Sequence, residues 1–383
     1  MTQTFLVRAR FYLVVFGGLY LLLILFLAVP FFQSHALYLN SIRLPLFANF
    51  NTPEKYGLAP NKTLNFKIRT SDNETIGAWF ILSDSYYRSL PTVPPDVAVH
   101  VTKAIKKRPT ILFFHGNAAT RAFNARILHY QALSSRLAAN VLAIDYRGFA
   151  DSTGSPSEQG LTRDARAAWD WLVYNGAEPE DILIIGHSLG TGVSMQLGAE
   201  LSLDKIQCRG IVLLSPFSSI REVLNTYHMF GIVPLIKPLA TIPGAIHLVE
   251  AALIHKFDSI RAVPNITSSV LIGHAENDWE IPDSHSDVLF EAFLDTHLPP
   301  VSPPDHATVM TTDRWNTFTA QQAARQNKRD KLVTSTVMAN FGRVDAFEAD
   351  GRKLVLVKTL SGGHDYLGVQ EGIQDVIGRT FGL

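Results

Sequence analysis

The stretch "DILIIGHSLGTG", residues 181–192, carries an aliphatic run into a Gly-x-Ser-x-Gly frame centred on Ser188, and "LGTGVSMQLGAELS" (189–202) leads out with helical character. A strand that turns at once into a helix leaves its serine at the apex of a sharp, strained turn, with the hydroxyl at the top of a sheet. Flanking glycines suit that turn, because bulkier side chains would collide with the neighbouring strand and helix. The pentapeptide alone is a weak signal. Its strand before and helix after make Ser188 a candidate nucleophile.

Short continuous apolar runs of the same kind recur outward from this point: "TILFFHG" (110–116), "NVLAIDYRG" (140–148), "GIVLLSP" (210–216) and "SVLIGHAEND" (269–278). Helix-like stretches lie between them, among them "SEQGLTRDARAAWDWLVYNG" (157–176), which opens with a capping serine and an early acid. Buried strands alternating with helices predict an α/β fold, a mostly parallel sheet covered by helices on both faces. Chemistry in such sheets sits at the carboxyl ends of the strands. "TLNFKIRT" and "TIGAWFILS", separated by "SDNE", read as a strand pair at the sheet edge. Two segments interrupt the alternation. Residues 222–256 are apolar, broken by prolines and nearly uncharged, and read as a cap inserted over the site. Residues from about 297 to 352 are polar, include the basic tract "RQNKRDK", and read as a long surface insertion that is partly disordered.

Phe11 to Phe32 holds 22 residues without a charge. At 1.5 Å per helical residue that run spans a bilayer core of roughly 30 Å, so 11–32 is expected to be a transmembrane signal-anchor helix. A buried core helix normally keeps a polar face, which this run lacks. Cleavage of a signal peptide at Ser34-His35-Ala36 is the other alternative, but the apolar core of such a peptide usually has only about 7 to 15 residues. Arg8 and Arg10 precede the segment and only Arg43 follows it before Lys55, so residues 1–10 are expected in the cytosol and the body across the membrane. Residues 33–60 then read as a juxtamembrane linker and 61–383 as the folded domain. Sequons at Asn61, Asn73 and Asn265 are candidate glycosylation sites in a lumenal body.

The 383 residues are 47% hydrophobic, enough for a sizeable core. Lys plus Arg equals Asp plus Glu at 34 each, so no global field draws nucleic acid. Cys208 is the single cysteine, which excludes a disulfide framework and a multi-cysteine metal site. No metal or organic cofactor is implied.

A serine hydroxyl needs a base to take its proton, and the base needs an orienting acid. With a strand-turn-helix nucleophile the chain order is serine, acid, histidine, which demotes Asp145. Asp278 follows "SVLIGHA" and is the candidate acid, with Glu276 as runner-up. His364, in the loop "LSGGHDYLG" after "RKLVLVKTL", is the candidate base. His115, His187 and His274 read as local packing or hydrogen-bonding groups. The tetrahedral oxyanion needs backbone donors: Leu189 N–H directly after the nucleophile, and Asn117 N–H, or next Ala118 N–H, from "HGNAA".

With these residues in hand, "DYRGFADSTGSPSEQGLTRDA", "GHSLGTGVS", "LLSPFSSIREV" and "HAENDWEIP" resemble, in order and spacing, the α/β-hydrolase-fold serine hydrolases. The resemblance is to the membrane-anchored monoacylglycerol and lysophosphatidylserine lipase branch, over about residues 60–290 and again from about 354. It implies an α/β-hydrolase fold, a Ser188–Asp278–His364 triad, and cleavage of one acyl ester of a monoacylglycerol or lysophospholipid; with the Arg8/Arg10 bias the catalytic domain is expected in the endoplasmic reticulum lumen. Ala150, Asn277 and Trp279 depart from the branch's usual Gly, second acid and Pro. An acyl-protein thioesterase would use the same groups on cytosolic substrates, and a catalytically silent scaffold would keep the fold for binding.

Overall fold

The computed structural model describes all residues except 1, 92–94, 227, 230–232 and 303–310. Its strands are β1 (Thr63–Arg69), β2 (Thr75–Ile81), β3 (Thr110–Phe114), β4 (Asn140–Asp145), β5 (Ile182–His187), β6 (Gly210–Leu214), β7 (His228–Met229), β8 (Val233–Pro234), β9 (Val270–Ala275), β10 (Thr334–Met338), β11 (Gly342–Ala349) and β12 (Arg352–Thr359). Ten of them form one sheet in the order β1-β2-β4-β3-β5-β6-β9-β12-β11-β10, while β7 and β8 pair separately. The run β4-β3-β5-β6-β9-β12 is parallel, and antiparallel strands extend it at both ends.

The continuous apolar runs are explained by two-sided burial. Every residue of β3, β4, β5, β6 and β9 is buried, and alternate side chains enter opposite layers. Leu112, Phe114, Ile184 and Leu213 join the layer with helices Glu158–Tyr174 and Leu189–Leu203. Ile111, Phe113, Ile185 and Val212 face helices Asn124–Arg136 and Glu371–Phe381. Ser157 caps the first of these helices by accepting the Gly160 N–H at 3.1 Å.

Three expected boundaries change. The N-terminal helix runs Thr2–Ala28 and breaks at extended Val29, where Pro30 opens a second helix, Pro30–Tyr38; Phe31 and Phe32 therefore belong to the second. The stretch long and apolar enough to cross a membrane is Val7–Ala28, 22 residues with a mean hydropathy of 2.6. Residues 33–60 are not a passive linker. Tyr38 is fully buried, and the carbonyls of Tyr38, Ile42 and Leu44 accept the N–H groups of Ala118, Ala119 and Thr120. The 297–352 segment is not merely a surface insertion either: it holds helix Thr312–Leu332, β10 and β11, and β11 pairs along the length of β12. Charges at Arg343, Asp345 and Glu348 interrupt the apolar pattern of β11, yet Phe347 packs into the core. Part of that segment, 303–310, lies outside the described residues.

Candidate active site

The turn from β5 into helix Leu189–Leu203 places Ser188 at φ 51°, ψ −120°, a conformation costly for a residue with a side chain. Close packing holds it there. A Cβ on Gly186 would lie 2.3 Å from the Gly190 carbonyl oxygen, and one on Gly190 would lie 2.1 Å from that of Phe114. The glycines on either side of the serine are thus fixed by contact, and the hydroxyl is left facing a cavity.

Asp278, three residues beyond β9, and His364, in the loop after β12, come together although 86 residues separate them: His364 Nδ1 lies 2.8 Å from Asp278 Oδ2. The carboxylate is buried and densely solvated by the protein. Oδ2 also meets His274 Nε2 at 3.2 Å, and Oδ1 accepts the N–H groups of Glu280 and Ile281 at 2.9 and 3.0 Å. Burial alone would raise this carboxyl; the hydrogen bonds from His274, His364 and Ile281 hold it far below the usual carboxylate range. For His364 burial works against the charged form, but the bond to Asp278 and its charge, with Glu280 and Asp365 beyond, lift the imidazole above its ordinary value. Glu276, the alternative acid, gives its N–H to the Thr359 carbonyl and has no hydrogen bond to His364. Ser188 and His364 border the same cavity without a hydrogen bond between them, a spacing common in catalytic pairs before substrate is bound.

His187, His274 and His115 are each engaged in local contacts. His187 Nε2 bonds the His364 carbonyl oxygen at 2.8 Å, and Ser215 Oγ donates to the same oxygen, so both fix the His364 loop. His274 is held between Ser286 and Asp278. His115 lies against Asp145, which is itself paired with the fully buried Arg121.

Backbone donors at the turn sort themselves by their partners. Among the described residues the N–H groups of Leu189 and Asn117 have no partner in the chain, and both residues border the cavity with Ser188. Ala118 is corrected as a donor: its N–H is spent on the Tyr38 carbonyl at 2.9 Å. Arg126, which sequence reasoning passed over, secures the loop from the other side. Its Nη2 donates to the carbonyls of Gly116, Asn117 and Ala118 at 3.2, 3.0 and 2.7 Å. With carbonyls drawn to Arg126 and the 118–120 amides drawn to residues 38–44, Asn117 N–H is left without a partner among the described residues at the edge of the cavity. The sequence signal was a basic residue two turns after "HGNAA", on the helix face that also carries Ile127, Tyr130 and Leu133.

A cavity of about 620 Å³ rises from Ser188 and His364 and is walled chiefly by aliphatic side chains. The cap contributes Val223, Leu224, Leu235, Ile236 and Val249. Its trailing end is clamped to the core by Glu158, whose carboxylate accepts the N–H groups of Lys256 and Phe257 at 2.7 and 2.9 Å.

Residues 111–364 match the Alpha/beta hydrolase family. The chain belongs to that family. It is a hydrolase. It is 33% identical over 272 residues to the lysophosphatidylserine lipase ABHD12 of Bos taurus, covering 69% of this chain and 66% of that one. With the protein of that name from Xenopus tropicalis it shares 34% over 281 residues, 72% of this chain and 69% of the other. The match thus spans about two thirds of these relatives' length. Among solved structures, an alpha-beta hydrolase from Vibrio vulnificus aligns with a TM-score of 0.50 at 18% identity, over 70% of this chain and 83% of that one, and shares the fold.

Proposed function

We propose that the protein is a membrane-anchored serine hydrolase that cleaves the acyl ester of lysophospholipids or monoacylglycerols. The observation that carries this reading is the pairing of a buried Asp278–His364 dyad and an elbow serine with a large aliphatic cavity opening directly onto them. The lysophosphatidylserine lipases among its relatives support the same substrate class.

Ser188 Oγ attacks the ester carbonyl carbon as His364 Nε2 takes its proton. Asp278 holds Nδ1–H, fixing the tautomer and stabilising the imidazolium. The negative oxygen of the tetrahedral intermediate sits against Leu189 N–H and Asn117 N–H, each such donor lowering the barrier by about 3 kcal/mol. His364 then passes its proton to the departing glycerol oxygen, leaving an acyl-serine. Water attacks the acyl carbon as His364 takes its proton, and that proton passes to Ser188 Oγ as the C–O bond breaks, releasing the fatty acid and restoring both residues.

Val7–Ala28 crosses the membrane in this reading, with Arg8 and Arg10 on the cytosolic side and the catalytic domain in the lumen of the endoplasmic reticulum. Asn61, Asn73 and Asn265 are all exposed, and a glycan on Asn73 in cells would report that orientation. The decisive experiment compares membrane-embedded wild type with Ser188→Ala on long-chain monoacylglycerols, lysophospholipids of several head groups and a palmitoyl-cysteine peptide. Serine-dependent release from the glycerolipids is expected. Release from the thioester alone would replace this function with protein deacylation.

A further inference from the structure

The cavity above Ser188 has a wall that the cap does not supply. Leu23, Ile24 and Leu27 of the N-terminal helix line it opposite Leu224, Leu235 and Ile236 of the cap. With Tyr20 these residues recur at i, i+3, i+4 and i+7, a single stripe along a helix, and the same side chains form one packed cluster with the cap. The opposite side of the helix is open: Leu21, Leu22 and Leu25 are each about half exposed.

Polar bonds fix this wall at both ends. Tyr20 Oη donates to the Leu235 carbonyl at 2.9 Å. Gln33 donates to the carbonyls of Leu27 and Ala252 at 3.0 and 3.2 Å, and its side-chain oxygen accepts Ile254 N–H at 2.7 Å. Ser34 Oγ lies 3.0 Å from His255 Nε2. A mere tether would need none of these. Tyr20 and Ala28 are eight residues apart, about 12 Å along a helix, so a cap packed on Tyr20 reaches below the head-group layer when Val7–Ala28 spans the bilayer. The exposed Ile242 and Leu248 of the cap suit that depth.

We propose that Leu23, Ile24 and Leu27, anchored through Tyr20, form the outer wall of the acyl-chain site, so that a lipid's chain lies between this helix and the cap. The cavity, about 620 Å³, lies within the roughly 300–1,000 Å³ of sites that engulf small ligands, and its aliphatic lining matches a hydrocarbon chain. This inference rests on the lipid-ester reading above. It makes the helix a specificity element as well as an anchor.

The test uses the full chain in lipid nanodiscs with stearoyl and octanoyl lysophosphatidylserine. Leu23→Trp and Ile24→Trp fill the cavity from the stripe; Leu22→Trp and Leu25→Trp add the same bulk on the open side. The stearoyl-to-octanoyl ratio of kcat/KM should fall about tenfold or more in the stripe variants, equivalent to roughly two lost methylene burials, and stay at the wild-type ratio in the others. A ratio kept by the stripe variants would overturn the inference while the lipid-ester reading stands. Wild type that hydrolyses neither these chains nor the matching monoacylglycerols and lysophospholipids of other head groups would overturn both. A second measurement needs no substitution: a long-chain fluorophosphonate with a terminal diazirine is bound to Ser188 and photolysed. Crosslinks to residues 20–27 are expected, and crosslinks confined to 222–256 would refute the wall.

Discussion

Asp145 and Asp278 are near twins in position and opposites in use. Asp145 closes β4 and Asp278 follows β9 by three residues; both are buried, and each meets a histidine. Asp145 carries a resident counter-charge in Arg121, which also gives it a backbone N–H at 2.8 Å. Burial opposes ionisation of this carboxyl, but Arg121 and His115 bring it down to about 2. Burial and the nearby Arg126 meanwhile push His115 below its ordinary value despite the carboxylate. Asp278 meets no guanidinium, only histidines and backbone N–H groups. Its charge is therefore available to His364, whose imidazole is raised and borders a cavity. An aspartate already neutralised by arginine builds structure. One left for a histidine to neutralise, beside open space, can drive proton transfer.

Asp278→Asn tests that contrast most severely. An amide NH₂ in place of Oδ2 would face His364 Nδ1–H donor to donor, so the imidazole shifts its proton to Nε2 and can no longer accept one from Ser188. kcat should fall about 10⁴-fold, the size of effect seen when an orienting aspartate in a serine hydrolase is made asparagine. Fluorophosphonate labelling of Ser188 should slow in parallel while the thermal midpoint moves by only a few degrees. Loss of less than about tenfold would mean that Asp278 is not the orienting acid.

Asp145→Asn should do the reverse. Arg121 keeps Asp151 and Asn65 as partners but loses its buried counter-charge, which costs about 3 kcal/mol of stability. Urea unfolding should show this as a lower midpoint at unchanged slope, with kcat of the folded enzyme far less affected than by Asp278→Asn. A kcat loss approaching 10⁴ at normal stability would erase the distinction between the two aspartates.

The legible and illegible parts of the chain divide along the same physical line. Two-sided burial writes itself into sequence as unbroken aliphatic runs, so β3, β4, β5, β6 and β9 and the strained turn at Ser188 could be read directly. Asp278 and His364 could be singled out because each follows a strand run, and the structure brings their side chains to 2.8 Å. The sequence ranked Asn117 ahead of Ala118 but held no reason to drop Ala118, since that depends on carbonyls at residues 38, 42 and 44, about 80 residues away, taking the 118–120 amides. The inward stripe of the N-terminal helix was hidden for a different reason: a helix apolar on every side has no moment to betray its buried face. β11 was hidden because charges at Arg343, Asp345 and Glu348 break its apolar pattern, although Val344, Ala346 and Phe347 pack against the core.

Glu280 sharpens the comparison at its smallest scale, because it adds to the His364 side a second carboxylate with no equivalent at His115. Its Oε2 lies 3.8 Å from His364 Nε2, on a side chain that is 63% exposed. The sign follows from the base role. His364 must be neutral to take the serine proton, so kcat/KM rises with pH as the imidazole deprotonates. A nearby carboxylate favours imidazolium and moves that rise to higher pH. Glu280→Gln should therefore shift the acid limb to lower pH, and below the midpoint the variant should outpace wild type. Unit charges about 4 Å apart in water interact by roughly 1 kcal/mol, which sets a shift of at least about 0.7 pH unit. In 1 M salt, where the screening length is about 3 Å, the two profiles should nearly coincide. A shift in the opposite direction would mean that His364 does not act as the base, and a salt-independent shift would mean that Glu280 acts through position rather than charge.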